Sequence, residues 1–249
     1  VTLLGQNVDS YLWKNPEDAS DVTDFADLLS KVAEISPLLR VRFSTSHPKD
    51  ISDKVIDTMA KYDNICRHIH LPVQSGSNAM LEKMRRRYTR EWYLERVDRI
   101  RKSMPDCAIT TDIIAGFCGE TEQDHQDTLD VMRKVGYDYA YMFQYSERPN
   151  TKAARHFKDD ISLEVKTRRL NEIIELQGRL SLAANQKCLG KKYEVLIEGT
   201  SKRSSEQLNG RTPQNKMVVF DGKGHKVGDY VTVKINGCTS ATLLGEIVE

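Results

Sequence analysis

Short β-rich runs alternate with segments of helical periodicity over the first 150 or so residues, and this regularity restricts the fold more than anything else in the chain. The β-rich runs cover residues 1–4, 39–44, 68–73, 108–117 and 139–145. Between them, residues 25–35, 51–62, 78–84, 91–104 and 122–135 carry apolar side chains at helical spacing, as Leu28, Leu29, Val32 and Ile35 do. Thr121 with Asp124 three residues on has the form of a capping box. Alternation of this kind predicts an α/β fold with a parallel sheet and right-handed crossovers.

Four of the strands lead into polar segments: GQN, STSHP, QSGS and GFCGET. Parallel α/β folds assemble their sites from such strand-end loops. A long helical pattern then covers residues 162–186, with Leu170, Ile173 and Ile174 on one face. Beyond it the period becomes alternating, in YEVLI at 193–197 and YVTVKI at 230–235, and Asp221-Gly222 and Asn236-Gly237 have the composition of hairpin turns. The division predicted is an α/β domain with a linking helix over 1–187 and a small antiparallel β-barrel over 188–249.

A chain of 249 residues has room for both units. Its net charge of +1 does not by itself point to nucleic acid, and no window approaches the roughly 18 apolar residues of a membrane helix. The opening VTLLGQNVDS has no basic n-region or cleavage site and reads as an interior strand, so an N-terminal truncation is expected. Cys66, Cys107, Cys118, Cys188 and Cys238 form no CxxC pair; scattered thiols fit a reduced, cytoplasmic protein and offer no metal site.

Taken singly, the loops are ambiguous. In HLPVQSGS, Gly76 permits close backbone approach and Gln74 and Ser75 offer hydrogen-bonding groups to a ligand, yet an ordinary turn with a serine cap uses the same residues. The strand TDIIAGFCGET ends in two glycines, which suit either a stacked adenine or a tight turn. The run KMRRRYTR at 83–90, with Trp92 and Tyr93 beyond, suits phosphates and bases or a solvated helix face.

Together they are specific. GQNV at 5–8, RFSTSHP at 42–48, HLPVQSGS with LEKMRRRYT over 70–89, TDIIAGFCGET at 111–121 and YSERPNT at 145–151 occur in the order and spacing of one family. The chain resembles the radical S-adenosylmethionine methylthiotransferases, most nearly the MiaB type, over its whole length, the tail being similar to their TRAM module. The resemblance implies a partial parallel (βα) barrel of the radical SAM type that binds S-adenosylmethionine across its open top, and an OB-like barrel that grips RNA. It implies cofactor contacts at Gln6, Asn7, Ser44, Ser46, Gln74, Ser75, Asp112, Ala115 and Gly116, and RNA contacts at Arg86, Tyr88, Arg148, Lys202, Arg203, Arg211 and Lys216. Pro149-Asn150-Thr151 departs from the family's Pro-Gly-Thr, and Asn is the non-glycine residue that best tolerates positive φ.

The family carries two [4Fe–4S] clusters, held by a CxxxCxxC motif upstream of the first strand here and by three further cysteines. Neither set is in this sequence, so this polypeptide alone is expected to hold neither cluster, to have no metal site and to be inactive. Cys118 reads as a packing residue. In the full-length enzymes one S-adenosylmethionine yields a 5′-deoxyadenosyl radical that takes hydrogen from the target carbon, a second supplies methyl, and the auxiliary cluster supplies sulfur. The implied reaction places a methylthio group on C2 of N6-isopentenyladenosine beside the tRNA anticodon. The implied partners are the tRNA anticodon stem-loop and an electron donor such as flavodoxin or ferredoxin, with no membrane and a monomeric state. Two alternatives stand beside it: a target that is threonylcarbamoyl-adenosine or a ribosomal-protein aspartate, and a non-catalytic RNA-binding fragment.

Overall fold

The computed structural model describes residues 1–44, 46–201, 207–222 and 224–248. The first unit runs β1 (Thr2–Leu4), β2 (Leu12–Lys14), β3 (Val22–Asp24), α1 (Phe25–Ala33), β4 (Arg42–Ser44), α2 (Asp53–Lys61) and β5 (His68–His70). It continues with α3 (Asn78–Lys83), α4 (Arg90–Ser103), β6 (Ala108–Ala115), α5 (Glu122–Val135), β7 (Tyr139–Gln144), α6 (Lys152–His156) and α7 (Leu163–Gln186). The β2–β3 hairpin and α6 were not legible in the periodicity, because each is too short to show one.

The starts of the helices follow from local chemistry. Ser52, Ser77, Thr89, Thr151 and Ser162 each accept a backbone N–H of the first turn, and Thr121 and Asp124 form the expected capping box. β1 pairs in parallel with β4, β5 with β6 and β6 with β7; a parallel bridge between Val41 and Ile65 joins the two groups. The result is an arc of five parallel strands in chain order. One face of the arc is packed: Ile69, Ile109 and Ile113 lie under the helices with Leu29, Ile56, Tyr93 and Tyr137, each at most 0% exposed. On the other face of β7, Tyr139, Tyr141 and Phe143 remain 46%, 52% and 53% exposed, while Ala140 between them is buried.

The second unit is a closed barrel of β8 (Lys192–Thr200), β9 (Gln207–Arg211), β10 (Met217–Asp221), β11 (Tyr230–Cys238) and β12 (Leu243–Ile247). Its strand order is β10-β12-β11-β8-β9; it is the expected small antiparallel barrel, closed by one parallel pair, β10 with β12. The two supposed turns do not join neighbouring strands. Asn236-Gly237 lies inside β11 at a register shift against β12, and Asp221-Gly222 opens a long connection. Gly210 meets Leu196 so closely that a Cβ would stand 2.3 Å from that carbonyl oxygen. Gly210→Ala is therefore expected to lower the thermal midpoint of the barrel by several degrees, a loss that thermal scans by circular dichroism would read.

The barrel docks against the N-terminal ends of the parallel strands. Arg40, just before β4, donates to the Arg211 and Glu194 carbonyls and pairs with the Glu194 carboxylate. Arg42 pairs with Glu198 at 2.7 Å, Gln214 donates to Asp106 just before β6, and Lys216 pairs at 2.6 Å with Asp138 just before β7. The polar strand-end loops occupy the opposite end of the arc, so they and the barrel lie at opposite ends of the first unit.

Candidate functional site

The C-terminal ends of β1, β4, β5 and β6 bring the four polar loops together. Gln6 is exposed, Asn7 donates from Nδ2 to Asp50 at 2.7 Å, and Ser44 is half-buried at the end of β4. Ser46 is 3% exposed and its hydroxyl has no well-formed hydrogen bond; the same holds for Asn7 Oδ1 and for both carboxylate oxygens of Asp9. Burial pushes the Asp9 carboxyl up to about 7, against the smaller pull of the Ser46 hydroxyl and the His47 amide, and the Asp50 carboxylate adds to the rise. This corner is rich in acceptors and short of donors, which suits a cation or a proton.

Gln74 adopts φ 70 while its amide donates to the Asp112 carbonyl and its own carbonyl accepts from Ile114. Positive φ at a non-glycine residue held by its neighbours is common at binding sites. Asp112 lies 3.4 Å from His70 Nε2, and the Thr110 hydroxyl sits 3.1 Å from both His70 Nδ1 and His68 Nε2. Burial and the neighbouring His70 hold His68 down at about 4, so its ring is neutral at pH 7. Tyr141 packs edge-on to His70. Sequence reasoning singled out Asp112 but not His68, His70, Tyr141 or Phe143; the signal was the spacing of rings in YAYMF.

Other loop residues are occupied within the fold. Ser75 is 0% exposed and its hydroxyl faces Thr128 of α5, inside the fold. A Cβ at Gly76 would lie 2.4 Å from the Asp127 carbonyl oxygen, so the close approach that this glycine allows is to α5. Ser77 is the cap of α3. Ala115 is buried, and the Gly116 amide donates to the Glu120 carboxylate at 2.8 Å, with φ 73 at Gly116. Burial raises the Glu120 carboxyl, against the Gly116 amide and the Arg169 guanidinium, which is 2.9 Å away.

The residues marked for RNA divide in the same way. Arg86 donates to the Pro72 carbonyl and the Tyr88 hydroxyl, and Tyr88 donates to Pro72 and Val73. Both brace the QSGS loop from behind, and their neighbours Arg85 and Arg87 are the exposed ones. Arg148 is exposed and Asn150 adopts φ 67, the conformation expected for Asn in place of Gly. Arg211 and Lys216 are engaged at the seam between the units. Lys202 and Arg203 lie outside the described residues. Among the described residues no three cysteines come together; the single His/Asp/Glu grouping is Glu122, His125 and Glu172, which Arg168 already bridges with two 2.6 Å contacts.

A parallel arc with polar loops gathered at its C-terminal end, followed by a small closed barrel, matches two family models. The Radical SAM superfamily covers residues 3–132 and the TRAM domain covers residues 186–248. The chain belongs to the radical SAM superfamily and carries a TRAM domain. Among curated relatives it is similar to tRNA-2-methylthio-N(6)-dimethylallyladenosine synthase of Bacteroides thetaiotaomicron, 56% identical over 248 residues, 100% of this chain and 54% of that protein. The proteins of that name from Phocaeicola vulgatus and Porphyromonas gingivalis W83 are each 57% identical, over 248 and 249 residues, with 54% and 53% of their lengths covered. The chain thus spans about half the length of the curated relatives it matches. Among solved structures, coproporphyrinogen III oxidase (HemN) from Escherichia coli is similar with a TM-score of 0.49 at 14% identity, covering 76% of this chain and 51% of that one.

Proposed function

We propose that this chain is the S-adenosylmethionine-binding and RNA-binding part of an enzyme that adds a methylthio group to C2 of N6-isopentenyladenosine beside a tRNA anticodon. The observation that carries the reading is identity of 56–57% along the whole chain, loops and barrel together, with synthases named for that product. The loop residues fit the cofactor. Its cationic methionine portion suits the unpaired acceptors of Asn7, Asp9 and Ser46, with Gln6 and Ser44 beside them. Gln74 and Asp112 would flank its nucleoside with their side chains and Ala115 and Gly116 through the backbone, while the Ser75 side chain is taken up by Thr128. When bound, S-adenosylmethionine supplies the radical chemistry, and the chain's own residues bind, orient and exclude water.

The cysteines of this chain do not fit a [4Fe–4S] cluster: four are buried in separate places and the fifth is in the barrel. The full-length protein would take electrons from a flavodoxin or ferredoxin and act as a cytoplasmic monomer. No described helix is long and apolar enough to cross a membrane.

Mass spectrometry of tRNA nucleosides, with and without the full-length gene, tests the reaction. The expected result is loss of 2-methylthio-isopentenyladenosine and accumulation of its unthiolated precursor. An unchanged methylthio pool with a lost threonylcarbamoyl-type or ribosomal-protein modification would move the substrate elsewhere. At the cofactor, Gln74→Ala is expected to weaken S-adenosylmethionine binding about tenfold by calorimetry, the scale of one or two lost hydrogen bonds.

A further inference from the structure

A cavity of about 380 Å³ opens beside the GFCGET loop, between α3 and α6. Its walls are Phe117, Phe157 and Met84, and its rim carries Lys83, Arg85 and Lys152. Phe117 packs edge-on to Phe157, with ring centroids 6.0 Å apart, and to Tyr145 at 4.9 Å. Among the described residues none of the three rim cations forms an ion pair, whereas Arg67, Arg90, Arg96, Arg99, Arg168 and Arg169 each do; Lys83 donates to the Cys118 carbonyl at 3.5 Å. An aromatic-walled hollow ringed by cations that have no carboxylate partner is complementary to a planar base flanked by phosphates.

The backbone beneath Arg85 strengthens the argument. The α3 terminus is a Schellman motif, with the Arg86 amide donating to the Leu81 carbonyl and the Arg85 amide to that of Glu82, each at 2.9 Å. Its left-handed position, at φ 56, is the place where glycine is favoured, and it is filled by arginine; Arg87 repeats the conformation at φ 60. A strained arginine costs stability that a glycine would not. The two left-handed residues turn Arg86 inward onto Pro72 and leave Arg85 and Arg87 exposed.

We infer that this cavity is a nucleotide-binding subsite, in which an unpaired RNA base enters against Phe117 and Phe157 while Arg85, Lys83 and Lys152 hold the phosphates on either side. The inference rests on the proposed RNA substrate and adds a second contact point, on the same end of the arc as the cofactor loops and away from the barrel. An acidic protein partner would need the cations but not an aromatic hollow, so single-stranded RNA is the occupant that uses both.

The test is fluorescence anisotropy with the chain as it stands and an anticodon stem-loop RNA hairpin, over a range of salt concentrations. Arg85→Gly is expected to raise the thermal midpoint while weakening RNA binding severalfold. It should also flatten the dependence of log affinity on log salt by about 0.7 to 0.9, the share of one phosphate contact. Phe157→Leu, which keeps an apolar side chain, should weaken binding about tenfold with little change in that slope. If the unaltered chain binds the hairpin and both variants match it in affinity and slope, the subsite is wrong and the proposed function stands. Failure of the unaltered chain to bind any hairpin would overturn both. Loss of binding to a flavodoxin in the Arg85 variant, with RNA affinity intact, would assign the patch to a protein partner instead.

Discussion

Arg169→Ala is expected to cost about 3–5 kcal/mol of stability, because it leaves the Glu120 carboxylate buried with no cation beside it. Arg169 and Glu120 side chains are 6% and 2% exposed and meet at 2.9 Å, and a second bond runs from Arg169 to the Glu120 backbone carbonyl. The same carboxylate receives the Gly116 amide, and so fixes the loop that follows β6. The loss should reach function, since the left-handed turn at Gly116 depends on that acceptor and on Lys166 of α7, whose side chain packs where a Cβ would stand. The Glu120 carboxyl lies above its ordinary range in the fold, chiefly through burial. An acid raised in this way adds stability below its unfolded pKa and loses it as pH rises through the folded value. The variant's deficit should therefore be larger at pH 8 than at pH 5. Urea unfolding at both values measures it, and Arg169→Met with Glu120→Gln, which removes both charges, should recover most of the loss. Equal deficits in the single and double variants would show that the ion pair has no such role.

The parallel arc was legible in the sequence because β4, β5 and β6 are each followed by a helix with a clear cap: Thr121 and Asp124 behave as their spacing indicates. Asn150 likewise keeps a turn that usually needs glycine. The barrel was legible as alternation but not as topology, because an Asn-Gly pair looks the same at a turn and at a bulge, and only the closed ladder decides. At the candidate site the marked loops meet at one end of the arc, while some of the marked side chains face into the fold. Ser75 and Arg86 stand in polar, glycine-bearing or basic segments as binding residues do, yet their hydrogen bonds go to Thr128 and Pro72. Side-chain direction depends on the tertiary partner, and no period in the chain encodes it. The seam hides Arg211 and Lys216 for the same reason: their acceptors, Glu198 on the adjoining strand and Asp138 before β7, are distant in sequence.

Asp9→Asn is expected to stabilise the chain by about 2–4 kcal/mol at pH 8 and to weaken S-adenosylmethionine binding, two effects of opposite benefit from one atom change. In the fold the carboxyl titrates at about 7, against 3.8 when exposed. Its protonated form is thus the one that folding favours, so stability from this group is complete below 3.8, declines between 3.8 and about 7, and is absent above that. Asparagine removes the charge and brings an amide donor beside Asn7 Oδ1, which has no partner. The gain should shrink towards zero at pH 4, where the native carboxyl is already neutral. Urea midpoints of both proteins at pH 4 and pH 8 separate this from a packing effect, which would give the same gap at both. On the proposed function, the positive charge of the cofactor would offset the cost of burying these acceptors. A cationic cofactor replaces the proton there, so its binding by the native chain should release protons near pH 6 and that by the asparagine variant should release fewer. Calorimetry in two buffers of different ionisation enthalpy counts them, and equal proton release by the two proteins would remove Asp9 from the cofactor site.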